Sequence, residues 1–320
     1  MPLSVLAPLP FRPRYVFTDG QFVLIAGENR IAVLDRRSKK PKFETLDSIE
    51  LPGKAGASVA VRGDRIFVAL RQARVIAIYD FKGRETRRFA VPLPPNALAV
   101  DDLGAVYVFG VLAEKDAGDS LLDVYDSAGT RTRRAGAVPN YRKDGAVEQR
   151  NDVFPLLRTD SSGVIWALLR DGKAMIRVGA SQAGDDFLDL SAFDGSQSPP
   201  DEKAEKAAEE EREAVRKKLV AYLQEQGVDP SDPRARVVTF KNSPWRYRHF
   251  ACKHRECVLL PSTQSSKAIV TRVDLDKHVE VQTVLLERQP EEMIGVGLVR
   301  GSFVVYGILD NQLIEFELPD

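Results

Sequence analysis

Cysteine, histidine and methionine are scarce in this chain of 320 residues, with two, three and three copies. Two cysteines exclude a fold built on disulfides, and three histidines leave carboxylates as the main source of general bases. The G-x-S-x-G elbow, the H-E-x-x-H helix and the P-loop are all missing, so the common hydrolase and nucleotide-hydrolysing chemistries lack their marks. Catalysis is left open, with the weight against it. No apolar run is long enough to span a bilayer. Net charge is absent too: Lys+Arg and Asp+Glu both number 46, so only the distribution of charge can point to a partner. The opening MPLSVLAPLPFRPR has neither the basic nor the sustained apolar region of a signal peptide. That leaves a cytoplasmic protein or one whose export signal lies outside this sequence, and export is the favoured reading.

What is present is repetition. The stretch from Ala57 to Pro95 reads as four short β-runs joined by three tight turns, each run rich in Val, Ile, Phe, Tyr or Ala and bounded by Gly, Asp, Arg or Pro. Its first hairpin recurs six times, as VFT–DGQ–FVLI, VAV–RGDR–IFVA, LAV–DDLG–AVYV, LRT–DSSG–VIWA, FAC–KHRE–CVLL and GLV–RGS–FVVY. A third run follows each, and Asp35, Asp80, Asp126 and Asp274 close four of these, placed to cap the next turn with their carboxylates. Repeats of about forty residues, each a small antiparallel sheet, specify an all-β, six-bladed β-propeller in a single domain over 1–320. The sixth unit lacks a fourth run, and Leu3–Leu9 is predicted to supply it and close the ring.

Three departures from the compact unit fall on one face. In a propeller, the loops between second and third strands and those between blades share a side, called the top. Gly110–Ser120 lengthens the first kind of loop and Pro139–Asp152 the second. The third departure, 194–246 between blades 4 and 5, is read as a helical insertion. Ser198 is a capping residue, Pro199 and Pro200 open the first turn, and a helix is expected over about 199–226, ended by Gly227. Long loops on a rigid scaffold usually carry binding. The candidate contacts are Tyr141, Arg142, Arg150, Asp152, Arg170, Trp245, Arg246 and Tyr247. They mix aromatic anchors with guanidinium forks, which suits a protein, a peptide or a carboxylated small ligand, with no cofactor required.

Charge has a second concentration. Arg36, Arg37, Lys39, Lys40 and Lys42 precede the fourth run of blade 1, and Arg84, Arg87 and Arg88, then Arg131, Arg133 and Arg134, stand at the equivalent places in blades 2 and 3. Such a strip can bind a polyanion, or it can protect outer strands from pairing with another sheet. No aromatics interleave it, which disfavours nucleic acid. Cys252 and Cys257 flank a hairpin turn at positions that should oppose each other, so a disulfide or two quiet thiols outweigh a metal site with His249 or His254. A disulfide there requires an oxidising compartment.

The segment PPNALAVDDLGAVYVFG resembles an NHL-type repeat of the six-bladed propellers: a proline, a small apolar first strand, a D-x-x-G turn and a V-Y-V second strand. The resemblance is clearest over blades 2 to 4, and propellers of this kind include scaffolds, RNA binders, peptide binders and enzymes. In the gluconolactonase and SMP-30-like branch, six blades surround a divalent metal, such as calcium, at the tunnel mouth, where it polarises a lactone carbonyl and activates water. That resemblance implies Asn96 as a ligand, with Asp152 as a second, and a metal-dependent lactonase as the alternative function. The early E-G-P motif of that branch is replaced here by FRPRYV.

Overall fold

Val, Ile and aromatic side chains dominate the runs, and their backbones pair as twenty-four strands in six antiparallel sheets of four. The computed structural model describes residues 3–9, 11–13, 15–18, 21–27, 31–36, 40–43, 59–110, 120–138, 155–160, 162–169, 172–179, 184–190, 210, 247–261, 268–277, 279–285 and 292–319. The first strand, β1 (Leu3–Pro8), belongs to the last sheet. Blade 1 is β2 (Tyr15–Thr18), β3 (Phe22–Ala26), β4 (Ile31–Asp35) and β5 (Lys40–Phe43). Blade 2 is β6 (Val59–Arg62), β7 (Arg65–Leu70), β8 (Val75–Asp80) and β9 (Glu85–Ala90). Blade 3 is β10 (Pro95–Val100), β11 (Val106–Gly110), β12 (Ser120–Tyr125) and β13 (Arg131–Ala137), and blade 4 is β14 (Pro155–Thr159), β15 (Ile165–Leu169), β16 (Ala174–Val178) and β17 (Asp186–Asp189). Blade 5 is β18 (Tyr247–Lys253), β19 (Glu256–Pro261), β20 (Ala268–Asp274) and β21 (Val279–Leu285). Blade 6 is β22 (Glu292–Val299), β23 (Ser302–Leu309) and β24 (Gln312–Glu317), with β1 outermost against β24 in the register Leu3↔Phe316 to Pro8↔Gln312.

A strand buried on both faces must be apolar on both, and alternate residues then serve different neighbours. On β7, Ile66 and Val68 join the core shared with blade 1, through Leu24 and Val33, while Phe67 and Ala69 join the core shared with blade 3, through Leu98 and Val108. Further cores of the same kind lie between blades 3 and 4, 4 and 5, 5 and 6, and 6 and 1. Six sheets with a shared core at each of six seams form a closed ring. The chain is a six-bladed β-propeller with its first strand seated in its last blade.

Turn chemistry is repeated as faithfully as the cores. Asp80 and Asp126 each accept hydrogen bonds from the backbone N–H groups two and four residues on, and Asp274 from those of Asp276 and Lys277. The same device ends the innermost strands of blades 3 and 4. Asp101 accepts from Leu103 and Ala105, and Asp160 from Ser162 and Val164. In those two turns the second carboxylate oxygen takes a hydrogen bond from the aromatic residue six positions on, Tyr107 Oη or Trp166 Nε1.

Candidate functional site

The innermost strands define the axis. On each, one residue pairs with the second-strand residue that faces the following blade. These pairs are Phe17↔Leu24, Ala60↔Phe67, Ala99↔Tyr107, Arg158↔Trp166, Ala251↔Val258 and Gly297↔Val304. Four of the six residues are Ala or Gly, which leaves space at this level. The two large ones stand on blades 1 and 4, which are diametrically opposite, and they meet. The Arg158 guanidinium carbon lies 4.2 Å from the centroid of the Phe17 ring. A cation–π stack therefore crosses the axial channel and stoppers it. The seam between blades 6 and 1 is tight at the same level: a Cβ on Gly297 would sit 2.3 Å from Thr18 Cγ2, so only glycine admits β2 so close to β22.

His249, from the innermost strand of blade 5, completes the stopper. It is 1% exposed, its ring meets the Phe17 ring edge-on at 6.0 Å, and its Nδ1 lies 3.3 Å from Arg158 Nη2. Burial, followed by the positive charges of Arg158 and Arg248, holds its pKa well below the ordinary histidine value. The ring is thus neutral at physiological pH. A guanidinium can only donate, so Nδ1 accepts and the proton sits on Nε2. Arg158 is further steered by donation from Nη1 to the carbonyl of Leu157, 2.7 Å away.

Three innermost strands carry a bulge close to the end where the chain enters from the preceding blade. The extra residue is Asn96 on β10, Arg248 on β18 and Ile294 on β22. A bulge re-aims the side chain it carries and recurs beside binding sites. Asn96 and Arg248 are both partly exposed, so two polar side chains stand at the top end of the ring on blades 3 and 5.

The sequence-predicted site residues divide sharply. Tyr141, Arg142, Arg150, Asp152, Arg170, Trp245 and Arg246 lie outside the described residues, as does the expected helix apart from Glu210. Tyr247 is corrected from a surface contact to a core residue. It is 5% exposed and packs in the core between blades 4 and 5, because it opens β18 with its ring on the face toward blade 4. Of the metal ligands implied by the lactonase resemblance, Asn96 is described and Asp152 lies outside the described residues. The described residues contain no group of three His, Cys, Asp or Glu side chains suited to a metal.

The basic strip is largely engaged within the ring. Arg36 makes a two-pronged ion pair with Glu315 across the seam of blades 1 and 6, at 2.6 and 2.9 Å. That hydrogen bond raises the Arg36 pKa above the ordinary arginine value. Arg84 pairs with Asp80, Arg88 with Glu85, and Arg131 and Arg134 approach Asp123. Arg87 donates to the Ser127 carbonyl of blade 3, and Arg133 to the Gly179 carbonyl of blade 4. The side chains of Lys40 and Lys42, and all of Arg37 and Lys39, lie outside the description. Cys252 and Cys257 are bonded across the β18–β19 hairpin, where they are directly paired. Both are buried against Met175 of blade 4, whose sulfur is 3.8 and 3.7 Å from theirs.

Phe17, Arg158 and His249 were not singled out as a site by sequence. The signal was the middle residue of the six first strands: Phe, Ala, Ala, Arg, Ala and Leu in the order of the repeats. In blade 6 the strand pairing puts Gly297, not Leu298, at the matching position.

These features define the class: a six-bladed β-propeller. Among solved structures, a protein from Bacteroides fragilis described as exported matches with a TM-score of 0.54 at 11% identity, over 99% of this chain and 95% of the other. Virginiamycin B lyase from Staphylococcus aureus matches with a TM-score of 0.52 at 10% identity, over 99% of both chains. The β-propeller domain of Myceliophteria thermophila Cps50 (Swd1) matches with a TM-score of 0.50 at 11% identity, over 99% of this chain and all of the other, 100%. Likeness at such low identity shows the fold alone. No family model matches the sequence, and no curated protein does.

Proposed function

We propose that this chain is a non-catalytic binding propeller that takes a protein, peptide or carboxylated small ligand on its top face over blades 3 to 5. The observation that carries the reading is the pair of bulges that set Asn96 and Arg248 at the top end of the innermost strands of blades 3 and 5, above a stoppered axis. A bulge is a local cost that families retain beside sites. The sequence expectation for the long segments 110–120, 139–152 and 194–246 points to the same side and the same blades. Polyanion binding through the strip has less support, since most of its described arginines already neutralise carboxylates or clasp neighbouring blades. The buried Cys252–Cys257 bond fits work in an oxidising compartment, which accords with export. Among the described residues no helix is long and apolar enough to cross a membrane.

The test is a thermal-shift screen of peptides and small carboxylates, with each hit compared across three variants. Asn96→Ala/Arg248→Ala, and replacement of 196–232 by a short Gly/Ser linker, are expected to melt cooperatively and bind at least about tenfold more weakly. Arg87→Glu/Arg134→Glu is expected to bind as the parent does. Hits lost only in the last variant place the site on the outer strip and refute this reading.

A further inference from the structure

We propose that the outer strand of blade 5, β21, is a dimerisation edge that pairs antiparallel with β21 of a second copy of this chain. The contact lies on the rim of the ring and stands or falls independently of the top-face reading.

The last strand of every blade offers N–H and C=O groups on its far side, and an unguarded strand of this kind recruits another. Five of the six outer strands here are guarded. Register shifts leave Leu6 of β1, Lys42 of β5, Thr86 of β9 and Thr132 of β13 without a partner on the next strand in. Such a bulge twists an edge away from regular pairing. The same strands carry a second device: Pro8 on β1, Pro41 on β5, Arg87 and Arg88 on β9, and Arg131, Arg133 and Arg134 on β13. At the end of β13, Asp185 of blade 4 also takes the N–H groups of Gly136 and Ala137. β17 is guarded by brevity, with four residues and an aspartate at each end.

β21 has none of these devices. Its seven residues, Val279–Leu285, pair one for one with Ala268–Asp274 without a shift. They include no proline, lysine or arginine, and Glu280 is the one charge among them. The rest is mostly Val, Thr and Leu, a composition that favours extended pairing. Among the described residues only β20 pairs with this strand. A long, regular, nearly uncharged edge is a liability for a monomer and a ready template for strand addition.

The sequence of β21 identifies its own copy as the strand to be added. Full overlap of two antiparallel copies puts a two-fold axis at Gln282. Val279 then stands opposite Leu285 of the second copy, Glu280 opposite Val284, Val281 opposite Thr283, and Gln282 opposite itself. The register that matches the whole strand is thus also one that keeps the two copies of Glu280 from facing each other. Parallel, in-register pairing would set Glu280 against Glu280, and like charges directly opposed destabilise a strand pair. Joined along this edge, the two four-stranded sheets of blade 5 become one continuous sheet across the dimer.

Sedimentation equilibrium of the intact chain between about 1 and 200 μM is expected to show a reversible monomer–dimer mixture, as suits a small interface. Hydrogen exchange locates the contact. Alternate amides of 279–285 are expected to exchange at least about tenfold more slowly at the high end of that range than at the low end, with the other outer strands unchanged. Gln282→Lys sets two lysines against each other across the axis and is expected to weaken dimerisation about fivefold. Val284→Lys faces Glu280 of the second copy at two symmetric places and is expected to tighten it about threefold. Should Val284→Lys fail to melt cooperatively, Gln282→Lys and hydrogen exchange decide. A chain that stays monomeric throughout overturns the proposal and leaves the edge to a strand from a different protein. A dimer whose protection lies outside 279–285 overturns it, as does Gln282→Lys dimerising as tightly as the parent. Protection of these amides that is the same at every concentration assigns the edge to a segment of the same chain, and that too overturns it.

Discussion

Asp160 holds more structure than any other described turn residue. At 4% exposure its carboxylate accepts from the N–H of Ser162 and Val164, the hydroxyl of Ser162 and the indole of Trp166, at 2.6 to 3.0 Å. Removing it strands a buried indole N–H and two turn amides. Asp160→Ala is therefore expected to cost about 3–5 kcal/mol, and the half-buried equivalent Asp101→Ala about 1–2, both read by urea unfolding. His249 makes the second residue-scale prediction. The unfolded chain takes up a proton at about pH 6.5, whereas the native ring, buried beside Arg158 and Arg248, resists protonation until well below that. Below pH 6.5 the unfolded state binds more protons, so stability falls as pH falls, down through the depressed native value. His249→Gln should lack this component. The slope of unfolding free energy between pH 7 and 5 should be shallower in the variant, and equal slopes would contradict the assignment.

At the scale of the element, blade 6 is completed by β1 against β24. β1 pairs with β24 along its length, and Leu6 and Leu9 enter the core between blades 6 and 1 with Leu313, Val304 and Val23. The Arg36–Glu315 pair lies over the same seam, and Glu315 is 5% exposed. Beside it Tyr306 is buried, and burial, then the charge of Glu315, pushes its phenol well above the ordinary tyrosine value. Deleting residues 1–10 removes two buried leucines, a loss of about 3–6 kcal/mol, and bares the edge of β24. The truncated protein is expected to melt lower and to aggregate on storage. An unchanged melting curve and a monodisperse profile by light scattering would show that blade 6 does not depend on β1.

For the whole molecule, zero net charge conceals an ordered arrangement. Basic side chains cross the seams: Arg62 reaches Asp102, Arg255 reaches Asp186, Arg272 donates to the Pro319 carbonyl, and Lys253 donates to the Gly301 carbonyl at 2.8 Å. A propeller is stable only if every blade buries both faces, and these contacts border the apolar seams. Long side chains with apolar stems and charged ends suit that position.

Blade number, strand order and the capping aspartates were legible in the sequence because they are local. A strand alternates with period two and that pattern repeats six times along the chain, and a turn needs its Asp and Gly within five residues, as at Asp80/Gly83, Asp101/Gly104, Asp126/Gly129 and Asp160/Gly163. The opposition of Cys252 and Cys257 was legible for the same reason, since a two-residue turn sets the register of its own hairpin. Tyr247 was misread because whether an aromatic at a strand's entrance faces solvent or the next blade depends on where that blade lies. Of the strip's ion pairs, Arg36–Glu315 could not be read from the sequence, because its partners are 279 positions apart. The stopper is the clearest case. Phe17 and Arg158 are ordinary strand residues on the page of the sequence, and only closure of six blades into a ring puts them across one axis, where a cation and an aromatic face come within 4.2 Å.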